Sequence, residues 1–334
     1  MPIPDQEAVN YVFLVAFAEG MYVPGSTTPH DEPRIAQAGW DVVGHFLAFD
    51  SILPDPSSLP PGAPTTVKLG QTVFYGFLAR NHADPTRYAA AIRGTSGFAE
   101  WAIDADFLPL AHPNLPGATV ESGFWSIYAS MTLVDLAGKA IGLKATDGIA
   151  QVVGEGTVTV CGHSLGSAIA TYLSFDVAKL INPRASACLF ASPRTGDLVW
   201  TTAYAAVVAS YRLTNYLLDV VPYVPFDVPP AFQYSTLPGA LILLPSTAQA
   251  EVRFDIRCNH NLICYCAMID YADTKKRASA EDVEAWRCIL GPPAFGLNRE
   301  LTLALEKPVI ALGGAAEHIV HLINVMARAK GGHV

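Results

Sequence analysis

Residues 157–173, TVTVCGHSLGSAIATYL, constrain the fold more tightly than any other stretch of this chain. The β-branched run before Gly162 has the pattern of a short buried strand, and the alanine-rich run after Gly166 that of a helix. Only Gly162-His163-Ser164-Leu165-Gly166 joins them, so a strand must become a helix within one tight G-x-S-x-G bend. The alternation continues downstream, where strand patterns at 186–192 and 211–218 flank a helical pattern at 198–210. Short buried strands alternating with helices predict an α/β fold, a mostly parallel central sheet with helices on both faces. Upstream, 72–80 and 88–94 read as two short strands joined by the polar turn NHADPT. Ligands of such sheets meet the carboxyl ends of the strands, and Ser164 stands at one of them.

Composition bounds the partners. With 51% hydrophobic and 15% charged residues over 334 positions, the chain can bury a large core. Lys plus Arg number 21 against 30 Asp plus Glu, a net charge of −9 that argues against nucleic acid and against electrostatic docking on anionic lipid. A neutral or apolar partner fits that balance. The longest apolar stretch, 11–23, is broken by Glu19 and Gly20 and is shorter than the roughly 20 residues that span a bilayer. No transmembrane segment is expected, and residues 1–10 show no secretory signal. The prolines of 51–66 mark a surface loop, 232–256 reads as a hairpin or edge excursion with a further short strand, and a helix follows from His260.

Six cysteines, Cys161, Cys188, Cys258, Cys264, Cys266 and Cys288, form no C-x-x-C pair and no regular framework. They read as free, mostly buried thiols of a reducing compartment, which together with the missing signal favours a cytoplasmic protein, with an extracellular one the alternative if a signal has been removed or a non-classical export route is used. Zinc at Cys258, His260, Cys264 and Cys266 is not expected, because positions 264 and 266 of a helix face apart. The sequence calls for no metal and no cofactor.

A serine hydroxyl is a poor nucleophile unless it is exposed on a sharp turn, beside a base, with N–H donors aimed at the developing oxyanion. G-x-S-x-G between strand and helix meets the first need; the bland alternative is an ordinary strand-to-helix turn. An acid and then a histidine should follow in the chain. Asp219 lies just after the strand at 211–218 and so emerges at the same sheet edge as Ser164, whereas Asp176 sits mid-helix and Asp227 lies too far into a proline loop. His260 is the first histidine downstream of Asp219, and His163 cannot turn back onto its neighbour. His318 and His321 share one face of an amphipathic helix at 315–329, where packing is the plainer role, and His333 is in the terminal tail.

The ordered segments AAIRGTSGFAEWAIDADF, VESGFWSIY, VTVCGHSLGSAIATYL, FASPRTGD, RLTNYLLDVVPYVP and HNLICYCAMI resemble the blocks of the class 3 lipases, a fungal-lipase-like group of α/β-hydrolases. The resemblance runs over roughly residues 11–270. It implies an α/β-hydrolase region at 1–272 and leaves 273–334 as a helical extension packed on that core, with Ile319, Leu322, Ile323 and Met326 on one helical face. It implies Ser164 as nucleophile, Asp219 as acid and His260 as base, with Thr95 and the backbone N–H of Leu165 as oxyanion donors. It also implies a lid at about 96–107, with Phe98, Trp101 and Ile103 on its apolar face, and Tyr22 bordering the acyl site; a surface helix and plain packing are the respective alternatives. Two positions depart from the family pattern: Glu121 stands where many members have histidine, and Asp197 where asparagine often follows the glycine. The function implied is hydrolysis of carboxylic esters, foremost acylglycerols at an oil–water interface. Phospholipase A1, a small-ester carboxylesterase and an acyltransferase are the runners-up, and a non-catalytic lipid- or protein-binding descendant is the alternative of another class.

Overall fold

The computed structural model describes residues 5–50, 70–95, 107–180, 184–208, 210–225, 233–278 and 282–311. Its strands are β1 (Trp40–Phe49), β2 (Thr72–Asn81), β3 (Arg87–Ile92), β4 (Pro109–Ala111), β5 (Thr119–Glu121), β6 (Thr132–Val134), β7 (Ala140–Ile141), β8 (Thr157–His163), β9 (Ser186–Phe190), β10 (Ser210–Tyr216), β11 (Leu241–Leu243), β12 (Glu251–Val252) and β13 (Ile289–Gly291). Its helices are α1 (Asp5–Gly20), α2 (Arg34–Gln37), α3 (Ser122–Ala129), α4 (Ala145–Val153), α5 (Leu165–Leu180), α6 (Leu198–Val207), α7 (Ile256–His260), α8 (Leu262–Ile269), α9 (Tyr271–Arg277), α10 (Val283–Cys288) and α11 (Leu297–Ala311).

Nine strands form one sheet in the order β11-β10-β9-β8-β3-β2-β1-β6-β7. From β3 to β11 the pairing is parallel. From β3 to β7 it is antiparallel. The split follows from the connections. Residues 82–86 can only close a hairpin, whereas the parallel strands are separated by stretches long enough for crossover helices. The carboxyl ends of β3, β8 and β10 therefore lie along one edge, with β9 alone between β8 and β10.

The helix after Ser164 explains how closely that edge is built. Every residue of α5 from Leu165 to Ala178 is buried, and its small residues Gly166, Ser167, Ala168, Ala170 and Ser174 let its backbone lie against β8 and β9. On α1, Val9, Val12 and Phe13 join the core, and Tyr11 donates its hydroxyl to Thr159 Oγ1 at 3.0 Å, tying α1 to β8.

Two sequence expectations need correction here. The single helix expected from His260 is three helices, because Asn261 and Asp270 act as N-caps. Asn261 Oδ1 accepts from Ile263 N at 3.0 Å and Cys264 N at 3.2 Å, and Asp270 Oδ1 accepts from Asp273 N at 2.9 Å. His260 thus closes one helix rather than opening another. The cysteines are not all free: Cys258 and Cys288 form a disulfide with Cα atoms 5.1 Å apart, while Cys161, Cys188, Cys264 and Cys266 are free and buried. The bridge joins α7 to α10 beside the antiparallel pair β12–β13, a contact between residues 30 apart that local pattern does not encode. The disulfide removes one of the two observations behind a cytoplasmic expectation.

Further along, α11 is held by Asn298 Nδ2 donating to Glu251 Oε1 at 2.9 Å and by Ser246 Oγ donating to Glu306 Oε1 at 2.6 Å. The helix expected at 315–329, with His318 and His321, and the tail residue His333 lie outside the described residues. Among the described residues no helix is long and apolar enough to cross a membrane.

Candidate active site

Ser164 sits between β8 and α5 with φ of 60°, a left-handed conformation that costs a non-glycine residue roughly 1–3 kcal/mol and needs its surroundings to enforce it. They do so through the backbone. Ser164 N donates to Phe190 O at 3.1 Å, and Ser164 O accepts from Ser167 N at 2.9 Å and Ala168 N at 3.2 Å. The flanking glycines are sterically required: a Cβ on Gly162 would lie 2.3 Å from Gly166 O, and one on Gly166 would lie 2.4 Å from Ile92 O. The bend closes only because both positions lack a side chain.

Asp219 follows β10 and His260 ends α7, and the two meet at the serine. Ser164 Oγ lies 2.7 Å from His260 Nε2, and His260 Nδ1 lies 2.8 Å from Asp219 Oδ2. A carboxylate only accepts, so Nδ1 carries the proton and Nε2 is left to accept from the serine hydroxyl. Asp219 is fully buried, and its charge is met by three donors: His260 Nδ1, Val221 N at 3.0 Å on Oδ1, and the Tyr265 hydroxyl at 2.7 Å on Oδ2. Tyr265 also accepts from Tyr216 N at 2.8 Å, and burial drives its hydroxyl well above the ordinary phenol range, so it remains a donor. Sequence reasoning gives Tyr265 no role; the signal available for it is its place in the segment HNLICYCAMI, one helical turn beyond the Asn261 cap.

The expected oxyanion groups lie at the same edge. Thr95 follows β3, and its Oγ1 is buried with no hydrogen-bond partner among the described residues. Leu165 is the first residue of α5, so its N–H is one that no intrahelical carbonyl takes. Arg93 holds the strand end, donating from Nε to Phe74 O at 2.7 Å and from Nη1 to Gly94 O at 2.8 Å, with its guanidinium 3.6 Å from the centroid of Tyr22. Tyr22 is thus placed against Arg93 at the end of β3. Phe98, Trp101 and Ile103 lie outside the described residues. His163 is buried with its ring tilted against that of His260, centroids 4.6 Å apart, and burial lowers its pKa from the ordinary imidazole value.

The family model described as lipase (class 3) matches residues 89–228, which contain Thr95, Ser164 and Asp219. The match places residues 89–228 in the class 3 lipase family. The chain is 28% identical to the lipase of Rhizomucor miehei over 175 residues, covering 50% of this chain and 45% of that one. To phospholipase A1-II 7 of Oryza sativa subsp. indica it is 32% identical over 270 residues, covering 69% of this chain and 62% of that one. The chain therefore spans less than two thirds of the length of either relative. A solved fungal lipase structure, in a family noted for an unusual buried polar cluster, superposes with a TM-score of 0.50 at 22% identity. It covers 72% of this chain and 81% of that one, and the shared fold is the α/β-hydrolase.

Against that family pattern, both departures have structural explanations. Asp197 caps α6, its Oδ1 accepting from Trp200 N at 2.8 Å, and its Oδ2 accepts from Thr119 N at 3.0 Å. Glu121 caps α3, with Oε1 accepting from Gly123 N at 3.0 Å and Oε2 from Phe124 N at 2.7 Å. Burial outweighs those bonds and raises its carboxyl from 4.5 to about 7.

Proposed function

We propose that this class 3 lipase is a serine carboxylic-ester hydrolase acting on acylglycerol esters through an acyl-enzyme, with Ser164 as nucleophile, His260 as general base and Asp219 as its orienting acid. The observation that carries the reading is the unbroken line from Ser164 Oγ to His260 Nε2, 2.7 Å, and from His260 Nδ1 to Asp219 Oδ2, 2.8 Å. A binding protein has no physical need for such a line at a strained serine.

In the first half-reaction His260 Nε2 takes the hydroxyl proton as Ser164 Oγ attacks the ester carbonyl carbon. Asp219 and Tyr265 hold the imidazole in the Nδ1–H tautomer and stabilise the imidazolium. The Leu165 N–H and the Thr95 N–H and hydroxyl receive the oxyanion, a role supported by Thr95 Oγ1, which has no partner among the described residues. His260 then protonates the leaving alcohol. Water, activated by the same nitrogen, releases the fatty acid and restores the serine. Residues 96–107, with Phe98, Trp101 and Ile103, form the lid in this reading, and Tyr22 borders the acyl chain. The catalytic region is 1–272, and 273–334 is an extension docked on it.

A phospholipid substrate cleaved at one acyl ester is the second reading, favoured by the 32% identity to a rice phospholipase A1. One experiment tests both: wild type and Ser164→Ala are assayed on emulsified triacylglycerols, phosphatidylcholine vesicles and p-nitrophenyl esters, with fluorophosphonate labelling. Ser164→Ala should lose all ester hydrolysis and all labelling while keeping its thermal transition. Activity in that variant, or labelling elsewhere in wild type, would remove Ser164 as nucleophile; a preference for vesicles over emulsions would select the phospholipase.

A further inference from the structure

Glu19 is out of place on two counts. It interrupts the apolar run of α1, and it sits in the helix's last turn, where the macrodipole disfavours a carboxylate by about 0.3–1 kcal/mol. Its Oε1 accepts from Gly94 N at 3.3 Å and lies 3.7 Å from His163 Nδ1. Gly94 immediately precedes Thr95, and its Cα is enclosed by active-site atoms: a Cβ there would lie 3.1 Å from Glu19 Oε1, 3.1 Å from His163 O and 3.5 Å from Ser164 Cβ. The carbonyl of the same residue is held by Arg93 Nη1 at 2.8 Å. Gly94 is thus held at its N–H by Glu19 and at its C=O by Arg93, two bonds that oppose a turn of the Gly94–Thr95 peptide away from Ser164.

We infer that Glu19 is a positioning residue for the oxyanion hole: from the N-terminal helix it fixes the Gly94 N–H and thereby aims Thr95 at the oxygen of the carbonyl whose carbon Ser164 attacks. The inference rests on the serine-hydrolase reading above. Glu19 acts here as a hydrogen-bond acceptor and not as a charge. A negative charge beside a developing oxyanion is repulsive, and the Glu19 side chain is 37% exposed, so water screens that repulsion while the bond keeps its geometry. The neutral isostere should therefore serve as well as the acid. An apolar replacement should not, because it frees the peptide that carries the donor, and a lost oxyanion donor costs about 10²- to 10³-fold in rate.

The test compares Glu19→Ala, Glu19→Gln and, as a control on the same helix, Glu7→Gln, which loosens the ion pair between Glu7 and Arg87 far from the serine. Steady-state hydrolysis of a soluble p-nitrophenyl ester and the rate of Ser164 phosphonylation by a fluorophosphonate are measured per folded molecule. Glu19→Ala should lower kcat and the phosphonylation rate about 10- to 100-fold with KM within about twofold, whereas Glu19→Gln and Glu7→Gln stay within about threefold of wild type. Wild-type rates in Glu19→Ala would overturn the proposal, as would a Gln variant as slow as the Ala variant, which would make the charge the operative feature. If fluorophosphonate fails to label Ser164 in wild type, the serine-hydrolase reading itself fails; if it labels Ser164 and the Glu19 variants all react normally, only the role of Glu19 fails.

Discussion

The Glu121 carboxyl, 2% exposed and raised from 4.5 to about 7, makes folding stability depend on pH in a calculable way. Between those values the unfolded chain has ionised this group while the folded chain still holds its proton, so the folded state binds more protons and stability falls as pH rises. The contribution is fully present below 4.5 and lost as the pH rises through about 7. At about 1.4 kcal/mol per pH unit the loss totals on the order of 3 kcal/mol, or several degrees in Tm. Glu121→Gln removes the titration while leaving one carbonyl oxygen to cap α3, so the variant should lack this descent whatever its absolute stability. The assay is urea unfolding of both proteins from pH 5 to pH 8. His45, His112 and His163, all lowered by burial, contribute with the opposite sign below about pH 6.5, but they do so in both proteins and cancel in the difference. Wild type should lose about 3 kcal/mol relative to Glu121→Gln across that range. Parallel curves would refute the reasoning, because they would mean that the carboxyl is already ionised in the folded protein at pH 5.

Two other predictions follow from the site and its supports. Tyr265→Phe removes a hydroxyl that bonds the buried Asp219 at 2.7 Å, worth about 1.5–3 kcal/mol for a charged partner; kcat should fall roughly 10- to 100-fold with KM little changed, and wild-type kcat would show that the hydroxyl does not orient the acid. Replacing Cys258 and Cys288 together by alanine opens a bridge between residues 30 apart, which a chain-entropy estimate values at about 3.5 kcal/mol. Urea unfolding should show that loss, and dithiothreitol should lower the stability of wild type toward that of the variant without affecting the variant; equal stabilities would mean that the two thiols are not joined in solution.

The strand–bend–helix unit around Ser164 was legible because it is local. β-branched periodicity, two glycines and a run of small residues are all properties of adjacent positions, and a Cβ at either glycine would collide with backbone. The alternation downstream placed Asp219 at the correct edge for the same reason, since parallel strands put their carboxyl ends together. Chain order and family resemblance single out His260 as the candidate base, yet its place at the end of a five-residue helix comes from Asn261, whose capping side chain stops one helix and starts the next. What adjacent residues do not carry, tertiary structure supplied. The grip of Glu19 on Gly94 joins residues 75 apart, the Tyr265 hydroxyl reaches Asp219 across 46, and the disulfide closes over 30. In the sequence these are a break in an apolar run, one aromatic in a helix and two unmatched cysteines. Each acquires its role only when folding sets it beside a distant partner, because hydrogen bonds and disulfides depend on separation in space, and that separation is fixed by packing of the whole sheet and its helices.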